Sequence, residues 1–284
     1  MKSLFLKVGL LSLILGGAGL LSVLPLRAGF AACLDEVKTR GTLIVGTTGR
    51  FPPFTGTTTD GQLEGYDIDW LNAIGEKLGV KANFVALEGA GLFPGLLAKK
   101  FDTVSASFVV TKERLKAVNF PEPYSASGTI MVVRADDTKF RTYKDLKGRS
   151  IGVILGSVDE RRLRNKVPGW KELKTYPGWS EQWADLLAGR VDGLSTDYHV
   201  ANRSMSKERE ADKVRIAGEA VFKSVSGFPV RKECTKLLAA MTKATRELKA
   251  EGFTEKASRK WFGSELTPAF IDAAWAEVNY IGKQ

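Results

Sequence analysis

From Thr42 onward the chain alternates short apolar runs with amphipathic stretches, and it completes this alternation twice. Thr42 to Thr47 (TLIVGT) is short and rich in β-branched residues, so it reads as a buried strand. Tyr66 to Leu78 sets Ile68, Leu71, Ile74 and Leu78 on one helical face, and Gly79 follows as a stop. Strands are expected at 80–87 and 103–109, and helices at 92–100 and 112–118, the last with Thr111 as its N-cap. A strand at 129–134 and a polar crossing at 135–139 lead into the second round. There the strands are 150–155, 172–176, 191–196 and 214–217, and the helices 157–165, 180–188 and 198–206. A strand at 225–230 and a long helix at 234–249, striped with Leu237, Leu238, Met241, Ala244 and Leu248, complete the pattern. Such alternation implies parallel sheets with right-handed crossovers, and two rounds imply two α/β lobes. The expected division is 32–134 for the first part of lobe 1, 135–223 for lobe 2, and 224–284 for the return to lobe 1. Hinges are expected near Val133–Asp136 and Phe222–Gly227. Ligands of open α/β sheets sit at the carboxyl ends of the strands, so two facing lobes would share one cleft.

The first 31 residues follow a different logic. Lys2 and Lys7 precede an apolar run from Val8 to Leu26, broken by Gly16, Gly17, Gly19 and Pro25. Small residues at Gly29 and Ala31 suit signal peptidase, so residues 1–31 read as an export signal and the mature protein as periplasmic. A retained membrane anchor is the alternative, which the glycines and the proline disfavour. Phe30-Ala31-Ala32-Cys33 also loosely resembles a lipidation box, with phenylalanine a poor fit at its first position.

Export bears on the cysteines. Cys33 and Cys234 are the only two, and an even count in an oxidising compartment suggests one disulfide, with lipidated or free thiols as the alternative. There is no CxxC motif and only one histidine, His199, which disfavours a metal site built on His and Cys. The signal carries Lys2, Lys7 and Arg27 and no acid, so its removal takes the net charge from +10 to +7. The remaining charges are mixed in sign and scattered, without the clustered basic residues and stacking aromatics of a nucleic-acid binder. No nucleophile–histidine pair, phosphate loop or cofactor motif stands out.

Several segments, in their order and spacing, carry a family resemblance. Gly41-Thr42-Leu43-Ile44-Val45-Gly46-Thr47 is followed by Phe51-Pro52-Pro53-Phe54, and then by Gly65-Tyr66-Asp67-Ile68-Asp69. Thr111-Lys112-Glu113-Arg114, Asn119-Phe120 and Pro123-Tyr124 come next. Asp145-Leu146-Lys147-Gly148, Gly152-Val153 and Gly156-Ser157 open the second half. Gly189-Arg190-Val191-Asp192, Asp197 and Lys260-Trp261-Phe262-Gly263 complete the series. From about Gly41 to Gly263 the chain resembles the bacterial extracellular solute-binding proteins that deliver polar amino acids to ABC importers. The resemblance implies a two-lobed α/β periplasmic-binding-protein-like fold with a two-segment hinge. It also implies a monomer that binds an amino acid without a cofactor and hands it to a membrane permease, not an enzyme.

The resemblance assigns Arg114 to the ligand carboxylate, which a guanidinium grips bidentately. Ser157 and Val158 would add the free N–H groups of a helix start, Asp197 would accept the ammonium, and Phe51 would wall the ligand stem. Ser107 and Val109 fall in the pocket segment, where the family has Ser or Thr in place of Val109. Each assignment has a plainer alternative: a surface arginine, helix caps at Ser157 and Asp197, core packing at Phe51. Asp67, Asp69 and Asp192 read as structural. Gly89 stands where relatives often carry an aromatic residue, and Thr48 where relatives selecting cationic ligands tend to carry an acid. A neutral or acidic amino acid therefore fits better than a basic one.

Two other functions share this frame. Periplasmic cyclohexadienyl dehydratases resemble the same family and begin similarly to Gly46-Thr47-Thr48-Gly49-Arg50-Phe51; such an enzyme needs a cleft acid, and Glu160 is the candidate. A sensor domain is the third reading, and Gly282-Lys283-Gln284 would leave it dependent on separate partners.

Overall fold

The computed structural model describes residues 32–207 and 211–281. The expected export signal lies outside them.

Eight strands build two sheets. β1 (Thr42–Thr47), β2 (Lys81–Ala86) and β3 (Thr103–Val104) form a three-stranded parallel sheet in the order β2-β1-β3. β4 (Ser125–Arg134), β5 (Ser150–Ile154), β6 (Glu172–Tyr176), β7 (Gly193–Asp197) and β8 (Val214–Ser226) form the second, in the order β8-β4-β7-β5-β6. Each sheet is the centre of one lobe of a two-lobed α/β fold. Two short ribbons, Gly56–Thr57 with Leu63–Glu64 and Val118–Asn119 with Val230–Arg231, lie outside these sheets.

The expected helix Tyr66–Leu78 forms over the residues its spacing implies, and Gly79 ends it at φ 70°, a left-handed conformation that suits glycine. Its inward face buries Ile68, Leu71, Ile74 and Leu78, each worth roughly 2 kcal/mol of burial. Helix Thr235–Ala250 packs beside it through Leu237, Met241 and Leu248.

Three expectations need correction. β4 sits in the second sheet, hydrogen-bonded to both β7 and β8, rather than in the first lobe. Val133 is therefore locked in the ladder opposite Gly193 and Arg215, and cannot flex as a hinge. On the hinge side the lobes are bonded instead through Val110 N to Val225 O at 2.9 Å, Tyr124 N to Ser226 O at 3.1 Å and Gly227 N to Phe108 O at 3.2 Å, and across the cleft Trp179 N donates to Arg50 O at 3.2 Å. The second sheet is also not all parallel: β4 runs antiparallel to β7 and to β8. Finally, β3 stops at Val104, because Ala106 (φ 146°) and Ser107 (φ 48°) leave the extended region.

Cys33 and Cys234 are joined, with Cα atoms 5.3 Å apart, which ties the first described helix (Ala32–Arg40) to the start of helix Thr235–Ala250.

Candidate binding site

The parallel strands of both sheets end at one open cleft, ≈ 870 Å³ counting the solvent space at its mouth. Thr48, Arg50 and Phe51 follow β1, Gly89 follows β2, and the stretch from Ala106 to Val109 follows β3. From the other lobe, Leu155 to Asp159 follow β5, Pro177 follows β6, and Ser195 to Asp197 end β7. This is where a parallel α/β sheet offers loops and helix starts to a ligand. All seven residues singled out from the sequence, Phe51, Ser107, Val109, Arg114, Ser157, Val158 and Asp197, line it.

Arg114 lies on helix Lys112–Ala117, whose N-cap Thr111 accepts the Arg114 N–H at 3.2 Å. Its guanidinium stacks 3.6 Å from the centroid of the Phe108 ring and donates to the Val109 carbonyl at 2.7 Å. Val109 thus contributes its backbone where relatives would offer a hydroxyl. Among the described residues no carboxylate comes within 4.0 Å of Arg114. Desolvation, aided by the like charge of Arg161, pushes its pKa down to about 9.

Asp197 ends β7 and accepts the His199 N–H at 2.8 Å, which is the cap expected of it. Burial raises its pKa, against the opposing charge of His199, and it forms no ion pair with another described residue. Ser157 caps helix Val158–Lys166 by accepting the Glu160 N–H at 3.0 Å. The first N–H groups of that helix have no acceptor within it.

The sequence reading missed part of the lining. Asp159, Arg162, Thr129, Ser195, Thr196 and Ser224 all face the cavity. Asp159 accepts from Thr129 at 2.7 Å and pairs with Arg162 at 3.3 Å, and burial raises its pKa. The Thr196 hydroxyl is buried without a partner. Glu160, the acid expected to serve a dehydratase, is not in the lining. It accepts from Gly156 N at 2.7 Å and Arg164 Nε at 3.0 Å, closing the helix start instead.

The charge balance of the lining follows. It holds three arginines and two aspartates. Arg50 pairs with Glu88 at 3.2 Å and with Glu181 across the cleft, and Arg162 pairs with Asp159. One cation, Arg114, and one anion, Asp197, form no ion pair with a described residue, Asp197 being met only by the His199 ring nearby and by neutral hydrogen-bond donors. Among the described residues no group of three or more His, Cys, Asp or Glu could hold a metal ion.

Two α/β lobes flanking one cleft, apolar over most of its wall with a few charged and hydroxyl groups set into it, are the arrangement of a solute-binding protein. The family model for bacterial extracellular solute-binding proteins, family 3, matches residues 43–264, and the chain belongs to that family. The L-cystine-binding protein TcyJ of Escherichia coli (strain K12) is 34% identical over 235 residues, 82% of this chain and 87% of the relative. An ancestral arginine-binding protein bound to glutamine superposes with a TM-score of 0.74 at 39% identity, covering 79% of this chain and 99% of that one. The ancestral amino acid-binding protein AncCDT-1, described as a precursor of cyclohexadienyl dehydratase, superposes with a TM-score of 0.75 at 31% identity, covering 81% and 99%.

Proposed function

We propose that the mature protein is the periplasmic binding component of an ABC importer. In this reading it captures a free amino acid with an uncharged side chain and presents it to a membrane permease. The carrying observation is the pair of unmatched charges in the lining. A free amino acid presents one carboxylate and one ammonium, the two charges that Arg114 and Asp197 lack. Every other charge in the lining has a protein partner, which favours a neutral side chain over an acidic or basic one. At Gly89 an added methyl group would make ordinary van der Waals contact with Leu155 O and Thr48 Cγ2 at 3.6 Å, so the glycine leaves about a methyl's width of the cleft free there. L-cystine, the ligand in the name of the Escherichia coli relative, carries a second ammonium–carboxylate pair at its far end and is the probe that tests whether the cleft accepts such a pair. The ligand would bridge the lobes, pivoting at the bonded segments 108–110, 124–126 and 225–227, and so favour closure.

Isothermal titration of the refolded, ligand-stripped protein against the twenty amino acids and cystine tests this. Saturable binding of a neutral member, weakened about 30-fold (~2 kcal/mol) or more in Arg114→Ala, is the expected result. Absence of binding to all of them would refute it.

A second reading, a dehydratase acting on cyclohexadienyl acids, draws on the AncCDT-1 likeness. Its acid would be Asp159, the buried carboxyl that faces the cavity, instead of Glu160. Release of phenylpyruvate from prephenate, lost in Asp159→Asn, would establish it in place of the transport reading.

A further inference from the structure

Asp67 reads in the sequence as a helix-start residue, yet its side chain is fully buried and turned away from helix capping. Its Oδ2 accepts two consecutive backbone N–H groups, from Ala106 at 2.9 Å and Ser107 at 2.8 Å. Its Oδ1 accepts the Tyr124 hydroxyl at 2.7 Å. Tyr124 is itself fixed by stacking on Phe228 at 3.9 Å between centroids, and its carbonyl accepts the Tyr66 hydroxyl at 3.0 Å.

The two residues bound by Oδ2 are the ones that break β3. Ala106 and Ser107 both have positive φ, a conformation that costs a residue bearing a Cβ on the order of 1 kcal/mol or more. Two successive N–H groups pointing the same way form a concave nest for an oxygen anion, and Asp67 fills it. The reversal they make turns Ser107 and Val109 toward the cavity, with the Val109 carbonyl that Arg114 uses. It also brings the Ser107 hydroxyl within 3.0 Å of Ser226 Oγ, on the strand that returns from the other lobe.

We propose that Asp67 is a positioning residue of the ligand site: its carboxyl group holds the left-handed Ala106–Ser107 turn that sets the pocket wall and the arginine behind it. Asp67 is absent from the cavity lining, so it acts through these neighbours and not on the ligand. The ligand part of the test rests on the amino-acid-binding reading above; the backbone part does not.

Asparagine keeps the arrangement, because its carbonyl accepts the two N–H groups while its amide nitrogen donates to the Tyr124 oxygen. Alanine removes the acceptor. Amide hydrogen exchange of the ligand-free protein is measured first. In Asp67→Ala the Ala106 and Ser107 amides are expected to lose protection at least tenfold, while the core of helix Thr235–Ala250 keeps its own. In Asp67→Asn both amides stay within about threefold of the parent. Ligand affinity of the folded protein is then compared. Asp67→Ala weakens it at least tenfold, Asp67→Asn changes it by less than about threefold, and Asp67→Ala with Ala106→Gly recovers part of the loss, since glycine takes a positive φ without strain. A purely structural Asp67 would lower the melting temperature of all three and leave the affinity of the folded fraction unchanged, which would overturn the proposal. Unchanged exchange at Ala106 and Ser107 in Asp67→Ala would also overturn it. A parent protein that binds no amino acid would instead refute the transport reading, with the exchange result still deciding the role of Asp67.

Discussion

Breaking the Cys33–Cys234 bond has a cost that follows from its place in the chain. The bond spans a sequence separation of 201 residues. In the chain-entropy account, closing a loop of that length removes ~18 cal/mol/K from the unfolded chain, about 5 kcal/mol at 25 °C. The folded state sets a lower route, however. Cys33 belongs to helix Ala32–Arg40, which docks by burying Val37 completely and Leu34 in part. That contact is worth roughly 3 kcal/mol, and the exposed Lys236–Asp35 ion pair at 3.2 Å adds little. Without the bond, the helix can detach before the rest unfolds, so the loss falls between about 3 and 5 kcal/mol. For a chain of this size that lowers the melting temperature by roughly 6–20 °C. Scanning calorimetry of the oxidised protein and of the Cys33→Ser/Cys234→Ser double variant measures it. Neither cysteine lines the cavity, so ligand affinity at 20 °C should stay within twofold. A melting temperature within about 2 °C of the parent would refute the reasoning.

Two more outcomes follow from the interior and the cleft. Burial raises the Asp67 pKa to about 6 from an ordinary 3.8, so the folded state holds this proton to a higher pH than the unfolded state does. Between those values the unfolded chain binds fewer protons, and stability from this group falls as pH rises, by about 3 kcal/mol in all; urea denaturation from pH 4 to 7 should show a decline that Asp67→Asn makes shallower by about that amount, the buried Asp159 and Asp197 supplying the same-signed remainder, and an undiminished decline in the variant would contradict this. At Gly89 a methyl group meets its neighbours only at 3.6 Å, so Gly89→Ala should leave affinity within twofold, whereas Gly89→Trp, filling the cleft, should weaken binding of a bulky ligand more than tenfold by titration calorimetry.

What the sequence revealed and what it hid have physical causes. Helix Tyr66–Leu78 is legible because one face carries its apolar residues at helical spacing and a glycine ends it. The two-lobed plan is legible because alternation implies crossovers. Strand pairing is less so: β4 and β8 look like any apolar strands, and nothing in their residues says that they run antiparallel to their neighbours or that Val214 to Ser226 is one strand with two register shifts. The resemblance brought together seven residues that share one cavity. The additional hydroxyls of Thr129, Ser195, Thr196 and Ser224 lie on strands, where facing a cleft or a core leaves the same local pattern. Asp159 follows Val158 in the helix start and was masked by Glu160, whose acid–helix pattern is the commoner signal. Asp67 looked like a helix-start acid because its partners, Ala106, Ser107 and Tyr124, are far away in sequence.

The central claim is that two unmatched charges, Arg114 and Asp197, read the two ends of a free amino acid. The most direct measurement is a calorimetric comparison of the best-bound amino acid with its methyl ester and with its analogue lacking the α-amino group. The account predicts that the parent protein binds each analogue at least 30-fold more weakly than the amino acid, about 2 kcal/mol. It further predicts that Arg114→Ala abolishes the penalty for the ester and Asp197→Asn the penalty for the deaminated analogue. Equal binding of all three compounds by the parent protein, or penalties unchanged in both variants, would contradict it.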